Sequence, residues 1–331
     1  MKEVNNESEN LKPNAEIREP ILNFQFPGIK IGIAQYPEGP TGCTVIKFDP
    51  TKEKPHRGAR FYGDIRGGSP AVRSHEVGWA DAICLAGGSF LGLDAADGVA
   101  FELLKEQGFE LDWLTVPIVP GAIVWDFHIR KNRLYPDKRL GRLAAQNMHA
   151  GKFPMGRQGA GSSVRVGSGV NYAEQIFEIA GQGAGFTEVK GVKIFACVIL
   201  NALGAIRNKE GKIIKGHFDK TSNKRVSMME QVEIYEEQMK NMTDSKKPVS
   251  QNTTLTVVVT DQKLDARELK QVAKQVHSSM AKMIDPFHTL NDGDVLFFVT
   301  TEEVDAGTLP ITGLGYFASD VVWDAVLNCF E

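Results

Sequence analysis

A chain of 331 residues with 42% hydrophobic and 24% charged residues carries enough apolar surface to bury a full core without metal or crosslink. Its formal net charge of -3 and the lack of any Lys/Arg block exclude the electrostatic footprint of a nucleic-acid binder, and no apolar run is long enough to span a bilayer. The polar opening "MKEVNNESENLKPNAEIREP" does not read as a secretory signal, which points to the cytoplasm, and Cys43, Cys84, Cys197 and Cys329 stand far apart with no CxxC pair, as reduced packed thiols do.

Residues 1–22 are rich in Asn, Glu and Lys and poor in large apolar groups, so a disordered tail is expected there, ahead of one domain over 23–331. In "GIKIGIAQYPEGPTGCTVIKF", Ile29, Ile31 and Ile33 alternate, a Pro/Gly turn follows and a second strand runs through Val45, which makes a hairpin. "AICLAGGSFLGLDAADGVAFELLKEQG" passes from a short apolar strand through Gly87-Gly88-Ser89 into a helix with Leu93, Ala96, Ala100, Leu103 and Leu104 on one face, closed by Gly108. "VKIFACVILNALGAIRNKEGKIIKG" reads as a long strand, a turn at Lys209-Glu210-Gly211 and a return strand, with Asn201 set among apolar residues. From Tyr235 to Gln251 a helix end gives way to a polar, Pro-containing segment with the composition of an exposed linker. A core strand, "LTVVV", starts directly after it. Asp265 and Glu268 form a capping box for a helix whose apolar stripe is Leu269, Val272, Ala273, Val276, Met280 and Met283 and which Pro286 ends. "VLFFVTT" is another strand and "SDVVWDAVLNCF" a last helix. Strands outnumber a βαβ alternation and helices come in blocks, which predicts a layered α+β fold with antiparallel sheets covered by helices.

Single motifs carry little chemistry. Gly159-x-Gly161 is followed by Val164 where a dinucleotide fingerprint has its third glycine, and no Lys-Ser/Thr pair makes a phosphate loop, so no nucleotide cofactor is implied. The seven histidines form no HExxH or His/Cys cluster, so no metal site is expected, and His277 is placed at the helix surface or its boundary. Ser89 lacks a Gly-x-Ser-x-Gly setting and is explained by N-capping. Asp292-Gly293-Asp294, taken alone, is a turn, with too few oxygen ligands after it for a calcium loop.

The arrangement as a whole says more. "PEGPTGCTVIKF", "AICLAGGSFLGLDAADGVAFELL", "YPDKRLGRLAAQ", "FPMGRQGAGSS", "GQGAGF", "NTTLTVVVTD" and "KQVHSSMAKMIDPFHTLNDGDVLFFVTT" together resemble the L-aminopeptidase/D-esterase (DmpA-like) group of N-terminal-nucleophile hydrolases, and within it the branch that hydrolyses nylon (6-aminohexanoate) oligomers. The likeness extends from about Phe24 to the C-terminal helix. It implies an αββα sandwich and a precursor that cuts itself before a serine or threonine. Here that bond is Asn252-Thr253, dividing an α subunit of residues 1–252 from a β subunit of residues 253–331. A loose segment ending at a strand suits such chemistry, because the scissile bond must bend and the upstream chain must then leave.

The implied nucleophile is Thr253, whose branched Cβ restricts χ1 and so aims Oγ1. Its freed α-amine, with an unperturbed pKa of ~8, is the base that the cut itself delivers. The resemblance assigns Asn201 as a donor to the oxyanion, and Asp292 and Asp294 to orienting Thr253 and holding the protonated amine. Bland readings stand beside these: a strand amide satisfying backbone, and two turn-forming carboxylates. No cofactor is implied, the substrate is a small linear amide or oligoamide, and the assembly is a homotetramer of αβ units. Two positions depart from the family. Ser168 stands where relatives carry a lysine after the Gly-rich segment, with Arg165 as the nearest replacement cation, and Trp125 stands where they often carry tyrosine, so these three are expected to bear on the substrate pocket. An aminopeptidase or β-aminopeptidase remains open, as does an unprocessed, silent relative acting as a binding protein.

Overall fold

Ten residues, Thr253–Gln262, form a strand buried along its whole length. Its Val, Leu and Thr side chains suit a strand covered on both faces. It pairs antiparallel with Val192–Asn201 and parallel with Val295–Val304. The full sheet has six strands, in the order Gln182–Val189, Val192–Asn201, Thr253–Gln262, Val295–Val304, Ala59–Ile65, Trp79–Ala80. A second six-stranded sheet runs Val72–Arg73, Gly121–Ile123, Ala82–Ala86, Thr41–Phe48, Ile29–Tyr36, Met148–Ala150 and contains the expected hairpin. The structure, a computed structural model, describes residues 4–8, 10–49, 58–66, 72–73, 78–112, 115–169, 176–239 and 252–331. The polar linker expected ahead of Thr253 falls on residues 240–251, outside the described residues.

Period-two alternation sorts side chains between layers. In Ala82–Ala86, Ile83 and Leu85 join the core between the sheets, while Ala82, Cys84 and Ala86 face the helices Asp94–Glu106 and Lys138–Gln146. Across the inter-sheet core, Ile31, Ile46 and Phe48 belong to one cluster with Phe195, Val257 and Phe297. That cluster continues through the sheet holding Thr253–Gln262 to Leu269, Val276, Leu314 and Val322 of the helices Ala266–Ser279 and Ile311–Leu327. The layers therefore stack helix, sheet, sheet, helix: the αββα form of an α+β fold.

Local expectations meet several corrections. The helix Ala266–Ser279 has its Asp265/Glu268 capping box, but it tightens into a 3-10 turn at Met280–Lys282 before Pro286 is reached. His277 is fully buried, not at the surface. The last helix begins at Ile311 rather than Ser319; Gly313 and Gly315 weaken the sequence signal, yet at Gly315 an added Cβ would come within 2.5 Å of Gln275, so a small residue is what lets the two helices approach. Ser89 is not a helix cap: it sits at φ 55° in a 3-10 turn whose capping position is Gly88. The described part of the expected disordered tail is tied down. Asn14 bridges Gln35, Asn6 Nδ2 donates to Tyr135 O at 2.9 Å, and Gln158 exchanges two 2.7 Å hydrogen bonds with the Arg18 main chain. The Asn6 side-chain amide, which lowers the hydrophobicity of this stretch, pairs with the Tyr135 main chain, and Asn14 and Arg18 pair through their own main chains, none of which composition registers. All four cysteines are free and buried.

Gly183 is the closest seat for the covering helix. A Cβ there would lie 2.2 Å from Ala325 O and 2.6 Å from Cys329 N. Gly183→Ala is expected to lower unfolding free energy by about 1–3 kcal/mol, the usual range for overpacking, as measured by urea unfolding.

Candidate active site

Two registers converge on Thr253. The antiparallel pairing sets Asn201 directly across from it, and the parallel pairing makes a bridge between Asn252 and Asp292 one residue earlier. Thr253 and Asn252 are 4% and 1% exposed, so the bond between them is inside the protein. Thr253 Oγ1 donates to Asn252 O at 2.6 Å, and the same carbonyl accepts the Gly293 N–H at 2.8 Å. Asn252 N–H donates to Asn291 O at 3.0 Å, which anchors the residue before Thr253.

The Asn201 side chain has only one chemically sensible orientation. Its Oδ1 accepts the Arg165 N–H at 3.2 Å, and its Nδ2 donates to Trp125 O at 3.2 Å, so the donor and acceptor fix which end is which. Arg165 and Trp125 therefore reach the site through their main chains. The Arg165 guanidinium lies over the Phe177 ring at 4.5 Å, and the Trp125 ring packs edge-on against Phe127 at 5.3 Å. Ser168, 2% exposed, accepts from Asn252 Nδ2 at 3.5 Å, which puts the position where the resemblance leads one to expect a lysine beside the residue before Thr253.

Two buried carboxylates flank the strand start. Asp294 Oδ1 accepts the Thr254 N–H at 2.8 Å, and its Oδ2 accepts His288 main-chain N–H at 3.3 Å with His288 Nδ1 at 3.1 Å. Asp292 Oδ2 accepts the Thr289 hydroxyl at 2.7 Å and the Thr289 N–H at 3.2 Å, while its Oδ1 is buried with no hydrogen-bond partner among the described residues. Burial first, and the neighbouring Asp294 charge second, push the Asp292 pKa up to about 7. Among the described residues no lysine or arginine ion-pairs with either carboxylate.

A hydroxyl beside a peptide carbonyl that already accepts an N–H, an oriented amide across the strand and a buried acid raised toward neutrality are the kinds of group that acyl transfer uses. The sequence profile of peptidase family S58 matches residues 25–330. The chain belongs to peptidase family S58. It is 40% identical over 334 residues to the 6-aminohexanoate-oligomer endohydrolase of Agromyces sp. (strain KY5R), covering 98% of this chain and 90% of that protein. Solved structures similar to this S58 chain include the L-aminopeptidase D-Ala-esterase/amidase of Ochrobactrum anthropi, described as a variant of the Ntn hydrolase fold, with TM-score 0.60 at 15% identity over 91% of this chain and 83% of that one. A Burkholderia sp. β-aminopeptidase gives TM-score 0.61 at 13% identity over 95% and 89%. The S58 chain thus has the α+β fold of N-terminal-nucleophile hydrolases.

Of the residues singled out in the S58 sequence, Asn201, Asn252, Thr253, Asp292 and Ser168 gather within one hydrogen-bonded neighbourhood, Asp294 joins through Thr254, and Arg165 and Trp125 join through their main chains. The sequence reading missed the Gly293 N–H, which carries no side-chain signal, and His288, whose position six residues before Asp294 matches no motif.

The raised Asp292 pKa has a definite sign in stability. The unfolded carboxylate titrates near ~3.9, so between that value and about 7 the folded form binds more protons, and unfolding free energy falls as pH rises through this window. Urea unfolding across that range is expected to show this loss, and Asp292→Asn is expected to flatten it.

Proposed function

We propose that this S58 hydrolase cuts its own Asn252-Thr253 bond and then uses Thr253 as an N-terminal nucleophile on linear amides. The observation that carries the reading is Thr253 Oγ1 at 2.6 Å from the carbonyl oxygen of the very peptide to be broken, in a buried site where Gly293 N–H holds that oxygen. In the first step Oγ1 turns from its bond with the carbonyl oxygen to the carbonyl carbon and the C–Oγ1 bond forms. The hydroxyl proton passes to the departing Thr253 nitrogen, the C–N bond breaks, and water hydrolyses the resulting ester to leave Asn252 with a free carboxylate. Negative charge on the tetrahedral oxygen is met by the Gly293 amide, a donor already aimed there.

Turnover repeats the same chemistry with a foreign carbonyl. The free α-amine, absent while it is an amide, takes the Thr253 hydroxyl proton as the C–Oγ1 bond forms and gives it to the departing substrate amine as the C–N bond breaks; water then hydrolyses the acyl-enzyme ester, releasing the acid and restoring the hydroxyl. Asn201 lies across from Thr253 with its acceptor end tied to Arg165 and one amide hydrogen given to Trp125, which leaves the second amide hydrogen for an oxyanion. Asp294 anchors Thr254, and Asp292 exchanges a proton near neutrality. The substrate class favoured by the relatives is a 6-aminohexanoate oligomer cut internally, with aminopeptidase or β-aminopeptidase action as the second reading, supported by the shared fold of the Burkholderia sp. enzyme. A homotetramer of αβ units in the cytoplasm belongs to the same proposal.

Purified protein is expected to run as two fragments on denaturing electrophoresis, with Thr253 at the new N-terminus by intact mass. Thr253→Ala should give one band and no amide hydrolysis with its circular dichroism unchanged. A cut or active Thr253→Ala chain refutes the nucleophile assignment. Hydrolysis of 6-aminohexanoate oligomers is expected to exceed that of short peptide amides, and the reverse order selects the aminopeptidase reading.

A further inference from the structure

We propose that His288, backed by His277 and Asp64, is a positioning residue that fixes the Asp294 carboxylate against the first peptide after the nucleophile. The inference rests on Thr253 being that nucleophile, and it concerns three side chains the mechanism above leaves unused. His288 adopts φ 59°, a left-handed conformation that costs a β-carbon-bearing residue free energy. In return both of its donors reach one atom: the main-chain N–H at 3.3 Å and Nδ1 at 3.1 Å both meet Asp294 Oδ2. Oδ1 is thereby directed at Thr254 N–H, 2.8 Å away. The carboxylate cannot rotate without losing all three.

His277 supports the imidazole from behind. It is completely buried, its ring stands edge-to-face with His288 at 4.4 Å between centroids and 83° between planes, and its Nδ1 lies 2.9 Å from Asp64 Oδ2. Burial lowers the His277 pKa, so the neutral ring donates from Nδ1 to Asp64. Asp64 in turn is buried against its charge, but hydrogen bonds from His277 and then Arg66 more than offset this and hold it below the usual carboxylate range. Arg66 closes the circuit: its Nε donates to Asp64 Oδ2 at 2.8 Å and its main-chain N–H to Asp294 O at 2.8 Å. The ionisable groups around Asp294 are thus Asp292 on its own loop, His288, His277 and, on the neighbouring strand and its end, Asp64 and Arg66.

This circuit crosses the proposed cut. Asp64 and Arg66 lie upstream of residue 252, whereas His277, His288 and Asp294 lie downstream. It therefore keeps Asp294 in place when the chain is no longer continuous, the moment at which the new N-terminus has lost its covalent restraint.

Two variants separate the donor from the backbone. Glycine and asparagine both accept a positive φ, but only asparagine carries a side-chain N–H near the position of Nδ1. His288→Gly is expected to slow both self-processing and hydrolysis of a 6-aminohexanoate oligomer by roughly 10–100-fold, with kcat falling and KM little changed, as a misplaced reacting group requires. His288→Asn is expected to recover most of both rates. Circular dichroism and melting temperature of each variant confirm folding. Parental rates in folded His288→Gly, or His288→Asn no faster than His288→Gly, overturn the proposal. Thr253→Ala run alongside keeps the two assignments apart: a silent Thr253→Ala with parental His288→Gly removes only the positioning role, whereas a cut Thr253→Ala removes the nucleophile beneath it.

Discussion

The Thr253–Gln262 strand is antiparallel to one neighbour and parallel to the other, and each pairing delivers different groups to its first residues. The antiparallel side brings the end of Val192–Asn201, and hence Asn201, opposite Thr253. The parallel side brings the segment leading into Val295–Val304, and hence Asp292, Gly293 and Asp294. Because the side-chain period of a strand is two, a slip of one residue on either side would turn Thr253 to the opposite face and pair its carbonyl neighbours with the wrong partners. That slip is blocked by burial on both faces. Leu255, Val257, Val258 and Val259 are all fully buried, so any other register exposes or crowds them.

Charge is the second constraint, because the same register brings two carboxylates into a place with no water-exposed escape. Asp292 and Asp294 are 2% and 0% exposed. Two adjacent buried anions are costly, and the protein answers differently at each. Asp294 receives donors at both oxygens from Thr254 and His288, while Asp292, with one oxygen lacking a partner among the described residues, takes a proton near neutrality. Unequal solvation is the general means by which neighbouring acids acquire separate roles.

Much of this was legible in the sequence, and the limits have physical causes. The strand starting at Thr253, the Asp265/Glu268 box and the layered architecture follow from periodicity and capping, which are local. The convergence of Asn201, Thr253, Asp292 and Asp294 needed the family resemblance, since residues so far apart along the chain meet only through sheet order. His277 could have been placed better. It lies four residues after Ala273 and three before Met280, the spacing that puts a residue on the same helical face, and both of those are buried. Its polarity outweighed its position in the reading, although a buried imidazole needs only one good partner, and Asp64, more than two hundred residues upstream, is invisible to any local rule. The tail failed the other way: low hydrophobicity suggested disorder, while its Asn and Arg main-chain contacts hold the described part against the body.

Ser168, where the resemblance leads one to expect a lysine, bears on the electrostatics that the proposed cut must satisfy. In the uncut chain a serine stands there, the Arg165 guanidinium lies over Phe177, and the Asp292 pKa is pushed up to about 7. Cleavage itself then introduces a positive charge, the Thr253 ammonium, beside the same pair. A nearby cation favours the ionised carboxylate, and the carboxylates favour the ammonium, so the proton on Asp292 becomes easier to release as the amine becomes harder to deprotonate. On the proposed reading the new terminus supplies the charge balance that the uncut site obtains from the proton on Asp292, and the ammonium proton must leave before the amine can serve as a base. On the same reading Asp292 links the two states of the chain: it holds a proton before the cut and faces the new ammonium after it, which offsets a burial that is unfavourable for the fold above acid pH.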